Sequence, residues 1–212
     1  MAIECLVFDC DGVILDSVPV KTRAFRRLAE PYGEEAADRF VIYHSTHGGV
    51  SRYKKFEWFF DEILKRPIQP DESEEWGEKF EKYALEEVRK CPMIPGAMDA
   101  LRKWHGVLPM YVCSGAPDEE VNLVLSERNL SRFFTGIYGT PPAKAQLLEK
   151  IARSTSLDPA DIAMVGDSTT DLDAAEYVGT LFYGVGNGLK GGAFPWSETL
   201  ENFNAWVEAN RR

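Results

Sequence analysis

The stretch Cys5-Leu6-Val7-Phe8-Asp9-Cys10-Asp11-Gly12-Val13 decides how this chain is read. An apolar run from Ile3 to Phe8, with β-branched and aromatic residues, reads as a buried strand, and it breaks off into two acids one residue apart followed by glycine. Two carboxylates at the end of a core strand crowd like charge. That is stable only when a cation neutralises it or when one group holds a proton. Both conditions suit an enzyme.

Working outward, Val18-Pro19 opens a helical segment with Val20, Ala24, Phe25 and Leu28 at helix spacing. A second short helix is expected over Glu34 to Tyr43, then a loop from His44 to Gly49. A third helix carries Tyr53, Phe56, Phe59, Phe60, Ile63 and Leu64, and a fourth carries Trp76, Phe80, Tyr83, Ala84 and Val88. Residues 18–90 thus read as an all-helical block. From Pro92 onward helices and strands alternate: strands are expected at Val107 to Cys113, Gly136 to Gly139, Ile162 to Val165 and Leu181 to Val185, and a last helix near Ser197 to Ala209. Such alternation predicts an α/β protein with a parallel, doubly wound sheet. The expected organisation is a sheet domain formed by residues 1–17 and 91–212, interrupted by a helical cap domain over residues 18–90. A cap inserted just after the first strand can close over the acid loop and exclude water.

In an open parallel sheet, ligands bind beyond the carboxyl ends of the strands. There the sequence delivers Asp9 and Asp11, then Ser114-Gly115, then Lys144 at a helix start, then Asp167 and Asp171. Carboxylates gathered round one point call for a hard divalent cation, and an oxygen-only ligand set favours Mg²⁺. Lys144 and Ser114 suit a negatively charged group. The combination is that of phosphoryl transfer through an aspartyl-phosphate, with Asp9 attacking phosphorus and Asp11 serving as acid and then as base. Loop amides near Cys10, Asp11 and Gly12 would share the charge of the transferring group.

Asp9-Cys10-Asp11-Gly12-Val13, Ser114, Lys144 and Gly166-Asp167-Ser168-Thr169-Thr170-Asp171 resemble, in order, the four motifs of the haloacid dehalogenase superfamily, in the branch with a helical cap between motifs one and two. The likeness spans nearly the whole chain and is closest to hydrolases of the phosphoglycolate-phosphatase and β-phosphoglucomutase kind. It implies a Rossmann-like core, Asp9 as nucleophile, and Asp11 as acid/base and as a metal ligand through its backbone carbonyl. It further implies Asp167 as direct metal ligand, Asp171 as support for the metal's waters, and Ser114 and Lys144 as phosphate binders. Lys144-Ala145 departs from the Lys-Pro of many relatives. Two acids at positions 9 and 11 disfavour the dehalogenases proper, which lack the second.

Rival readings weigh less. Counted as a calcium loop, Asp9-Cys10-Asp11-Gly12 puts Ile14 where glycine is needed and Val20 where the final glutamate belongs. Gly184-Val185-Gly186-Asn187-Gly188-Leu189 lacks the third glycine of a dinucleotide fingerprint. His44 and His47 have no evident third metal ligand; with Gly48, Gly49 and Arg52 they are expected to touch substrate from the cap. A sugar phosphomutase is the alternative activity, and a non-catalytic phosphate sensor a further one.

Bulk properties agree. With 34 acidic against 24 basic residues, a net charge of −10 disfavours nucleic acid and anionic membranes as partners. The expected ligand is a small phosphorylated metabolite, and the expected assembly a monomer or small homo-oligomer. Four cysteines without CxxC spacing, an N-terminus without a basic and apolar leader, and no apolar run of membrane-spanning length point to the cytoplasm.

Overall fold

The computed structural model of the chain describes residues 2–211. Its centre is a six-stranded parallel sheet in the order β3-β2-β1-β4-β5-β6. The strands are β1 (Cys5–Phe8), β2 (Met110–Pro117), β3 (Gly136–Thr140), β4 (Ile162–Gly166), β5 (Leu181–Val185) and β6 (Trp196–Ser197). The acid-bearing β1 sits between β2 and β4, with Leu6 opposite Met110 on one side and Ala163 on the other. All four residues of β1 are buried because both faces are covered.

Side chains alternate across that sheet. Leu6 and Phe8 pack on one face with α5 (Ala97–Trp104), α6 (Asp118–Glu127) and α9 (Phe203–Asn210), where Leu101, Leu125 and Phe203 are buried. Cys5 and Val7 point to the other face, against Leu147, Leu148 and Ile151 of α7 (Lys144–Thr155) and Ala174 and Ala175 of α8 (Thr169–Val178). This is the doubly wound α/β arrangement expected from the alternation of elements.

Between β1 and α5 lie four further helices: α1 (Val18–Ala29), α2 (Glu34–Thr46), α3 (Arg52–Glu62) and α4 (Pro70–Lys90). Their shared core is aromatic. Trp76 of α4 meets Phe56, Phe59 and Phe60 of α3 at ring-centroid distances of 5.4, 5.1 and 4.9 Å. Contacts of this kind contribute about 0.5–1.5 kcal/mol each beyond simple burial. A capping box between Gln69 and Glu72 starts α4, and its C-terminal end is held from the sheet side, where Arg128 donates to the carbonyls of Val88 and Cys91 at 3.2 and 2.7 Å.

Three boundaries differ from the sequence reading. Helix α2 continues to Thr46, because nothing before Gly48 breaks it and His44 finds a buried place on its inner face. The loop expected from His44 is correspondingly shorter. Strand β2 begins at Met110 rather than Val107, since Val107 closes a turn on the Trp104 carbonyl at 2.9 Å and lies half exposed; it then continues through Ser114 to Pro117 with a register shift against β3. The last helix begins at Phe203, because Trp196 and Ser197 extend the sheet by pairing with β5. All four cysteines are buried free thiols. No helix among the described residues is long and apolar enough to cross a membrane.

Candidate active site

The carboxyl ends of β1, β2 and β4 face a cavity of about 620 Å³ closed on the opposite side by α1, α2 and α3. Asp9 follows β1 directly, its amide held by the Val165 carbonyl at 2.9 Å, and its side chain is almost wholly buried. Oδ1 of Asp9 accepts from the Cys10 amide at 2.6 Å, so that amide serves the aspartate itself in this arrangement. Oδ2 lies 2.9 Å from Lys144 Nζ.

Lys144, the first residue of α7, also donates to Asp171 Oδ1 at 2.6 Å. The second oxygen of Asp171 accepts from the amide and hydroxyl of Ser168 at 3.2 and 2.6 Å, the capping box that starts α8. Asp171 is therefore fully enclosed and satisfied: one side chain both caps α8 and joins the acid cluster. Oxygens of Asp9, Asp167 and Asp171 all lie within 4.8 Å of one another.

One lysine serves three carboxylates there. Burial, beyond what Lys144 offsets, pushes Asp9 up to about 7, with Asp171 and Asp11 adding to the rise. Burial followed by the charge of Asp9 drives Asp167 well above the ordinary carboxylate range. Burial alone would lower Lys144, but Asp171 and Asp9 overcome it and hold its pKa well above the usual lysine value. The cluster thus lacks positive charge, and all its donors are oxygens: these residues fit a hard divalent cation.

Gly12 makes this packing possible. Its φ is +77°, and a Cβ there would run into the Asp167 carboxylate. Gly12→Ala is expected to lower stability by about 1–2 kcal/mol through the left-handed backbone alone. Denaturant unfolding of the metal-free variant measures this, and a loss under about 0.5 kcal/mol would contradict the strain argument.

Asp11 faces the helices instead of the carboxylate cluster. Its oxygens accept from Ser17 Oγ at 2.5 Å and Lys21 Nζ at 2.6 Å. Burial would raise its pKa, yet Lys21 and Ser17 prevail and the carboxyl is held below its ordinary value. Ser114 is fully buried, and its Oγ accepts from the Ala116 amide at 3.1 Å, a turn that shapes the loop; Gly115 and Ala116 line the cavity.

Of the residues expected from the helical side, His44, Gly48, Gly49 and Arg52 line the cavity. His47 lies apart, exposed and stacked on Tyr43 at 4.0 Å. Arg52 is buried over the Phe80 ring at 4.4 Å and paired with Glu120 of α6. The loop at Gly48 and Gly49 touches the sheet side directly. The Gly48 carbonyl accepts from Thr170 Oγ1 at 2.8 Å. At Gly49, φ is +70°, and a Cβ would collide with that same hydroxyl, while a Cβ on Gly115 would collide with the Gly49 carbonyl.

Sequence reasoning passed over Lys21, Lys55, Ser17 and Glu120. A signal existed for two of them. Lys21 is a cation in the first turn of a helix, against the dipole, and Lys55 continues the inward stripe of Arg52, Phe56 and Phe59.

The haloacid dehalogenase-like hydrolase family matches residues 3–179. This chain belongs to that family. Proteins similar to it include phosphoglycolate phosphatase 1 of Pseudomonas aeruginosa, 28% identical over 86% of this chain and 71% of that protein. Fructose-1-phosphate phosphatase of Escherichia coli is 24% identical, covering 82% of this chain and 92% of its own length. Among solved structures, β-phosphoglucomutase from Clostridium difficile superposes with a TM-score of 0.82 at 20% identity, over 98% of this chain and 96% of that one. The haloacid dehalogenase-like fold thus accounts for nearly the whole molecule.

Proposed function

We propose that this hydrolase is a Mg²⁺-dependent phosphatase acting on a small phosphorylated metabolite through an aspartyl-phosphate. The observation that carries the reading is the clustering of Asp9, Asp167 and Asp171 beyond the carboxyl ends of the strands, with Lys144 paired to Asp9 and Asp171. The phosphatase names of relatives from two organisms support it.

Asp9, Asp167 and the Asp11 backbone carbonyl would hold the metal, with Asp171 as support. Bound there, Mg²⁺ supplies the positive charge that the carboxylates lack and polarises a phosphoryl oxygen. A carboxylate oxygen of Asp9 forms a bond to phosphorus as the bond to the leaving oxygen breaks, and protonated Asp11 gives its proton to the departing alkoxide. Asp11 then takes a proton from water, whose oxygen attacks phosphorus; the Asp9–phosphorus bond breaks and phosphate leaves. Lys144 and the Gly115 loop would bind the phosphoryl oxygens in both steps. Lys21 and Ser17 favour the ionised form of Asp11, so a shift of the Lys21 ammonium away from this carboxyl would ease its protonation. Residues 18–90 would act as the cap that excludes water while the intermediate exists.

Purified protein should hydrolyse a generic aryl phosphate with Mg²⁺ present and lose at least about 100-fold of that rate in excess EDTA, with recovery on adding Mg²⁺ back. Turnover unaffected by EDTA would remove the metal from the reading. Isomerised sugar phosphate formed in place of free phosphate would replace hydrolysis with a mutase reaction.

A further inference from the structure

Three cations of the helical layer reach the cavity: Lys21, Arg52 and Lys55. Two acids answer them. Asp11 pairs with Lys21, and Glu120 pairs with Arg52 and lies 3.8 Å from Lys21. Among the described residues, no carboxylate stands within ion-pair distance of Lys55, although the residue is only 3% exposed. A buried ammonium without an acid is costly and seldom kept without a use.

Its position is built. The Thr22 hydroxyl donates to the Val18 carbonyl at 2.8 Å, so towards His44 Nε2, 3.1 Å away, it acts as acceptor. That fixes the proton of His44 on Nε2 and leaves Nδ1 as a bare lone pair, which accepts from Lys55 Nζ at 3.0 Å. His44 in turn packs on Phe25 at 4.4 Å, and Lys55 Nζ stands 5.3 Å from the same ring. One N–H of Lys55 is thereby used and the others are left for the cavity. Burial, with Lys55 and Lys21 nearby, pulls His44 down to about 3, so the imidazole stays neutral and offers no charge of its own.

Resting on the phosphatase reading, we infer that Lys55 receives a second anionic group on the leaving alcohol, so that the substrate is a phosphomonoester that also carries a carboxylate or a further phosphoryl group. The two ends of the cavity then have complementary charge. The carboxylate cluster takes the phosphoryl group together with its cation, and the helical layer takes the other acid. Burial, with Lys21 beside it, lowers Lys55 to about 7, and an anion laid against it supplies the charge partner and hydrogen bonds it lacks.

Binding of non-hydrolysable phosphonates tests this without relying on turnover. The Mg²⁺-loaded protein is titrated calorimetrically with 3-phosphonopropionate, propane-1,3-diyl bisphosphonate and propylphosphonate, which lacks the second acid. The wild type should bind one of the two diacids at least 10-fold more tightly than propylphosphonate, and which one it prefers identifies the second group. Lys55→Met should reduce that preference to within about 3-fold, and Lys55→Arg should restore part of it. Equal affinity of the wild type for all three ligands, or a preference undiminished in Lys55→Met, would overturn the inference. An equal loss for all three ligands in Lys55→Met would assign Lys55 to the transferring phosphoryl group and overturn it as well. Failure of the phosphatase reading would be seen separately, as absence of Mg²⁺-dependent hydrolysis of the aryl phosphate.

Discussion

Asp9→Asn should reduce turnover on the order of 10⁴-fold or more while leaving the fold intact. Asparagine preserves the shape of the side chain and can still accept from the Cys10 amide, but its amide oxygen is no nucleophile toward phosphorus. A residual rate above about one per cent of the wild type would remove Asp9 from that role. The same variant carries a second signature. In the metal-free protein burial raises Asp9 to about 7 from an ordinary value of 3.8. A group that binds its proton more tightly when folded favours the folded state at low pH, and that contribution is lost as pH rises from about 3.8 through about 7. Asparagine cannot ionise. In EDTA at pH 8 the variant should therefore be more stable than the wild type, and the gap should close near pH 4. Urea unfolding at the two pH values reads it directly.

Lys144→Met should be the most destabilising single change at the site. Methionine replaces the stem of the lysine and removes the ammonium that lies 2.9 Å from Asp9 and 2.6 Å from Asp171. Breaking a buried pair from one side costs about 3–5 kcal/mol, because the remaining charge has no partner. Here two buried carboxylates are left, with Asp167 a third beside them. Metal-free Lys144→Met should lose about that amount at pH 8 and regain much of it on acidification, as the carboxyls take up protons. Saturating Mg²⁺ should restore part of the stability, since a ligand that binds only the folded state stabilises it. Turnover with Mg²⁺ should still fall on the order of 10²- to 10³-fold, the usual effect of removing one charge aimed at the transferring group. Stability unchanged in EDTA would mean that the lysine does not neutralise the cluster.

What the sequence made legible follows from range. The strand ending in Asp9, the alternation after Pro92 and the order of the motifs depend on local patterns, and the sheet has the parallel, doubly wound form they imply. Helix α2 ran past its expected end because burial of His44 against Phe25 is a tertiary contact that no window of sequence contains. Strand β6 was missed since two residues carry no period. The convergence of Asp9, Lys144, Asp167 and Asp171 was readable because each follows the carboxyl end of a strand, directly or at the start of the next helix, whatever the distances along the chain. The partners of Asp11 were not. The place of Lys21 against the dipole of α1 marks it as unusual but not as a partner of Asp11 until α1 turns it back on the acid loop, and Glu120 joins Arg52 only when α6 passes under it.

The contact at Gly48 and Gly49 has a consequence for how such a protein can change over time. On the helical side this seam is main chain: a carbonyl that takes the Thr170 hydroxyl, and a glycine with no room for a side chain against Thr170. On the sheet side, Gly115 faces the Gly49 carbonyl just as closely. The fit along this seam therefore depends on backbone shape, whereas Arg52 and Lys55 present their side chains to the cavity from the next helix. On the function proposed above, substitutions on α3 would alter what the cavity admits while the seam still fits, so new preferences could arise in a lineage without rebuilding the seam.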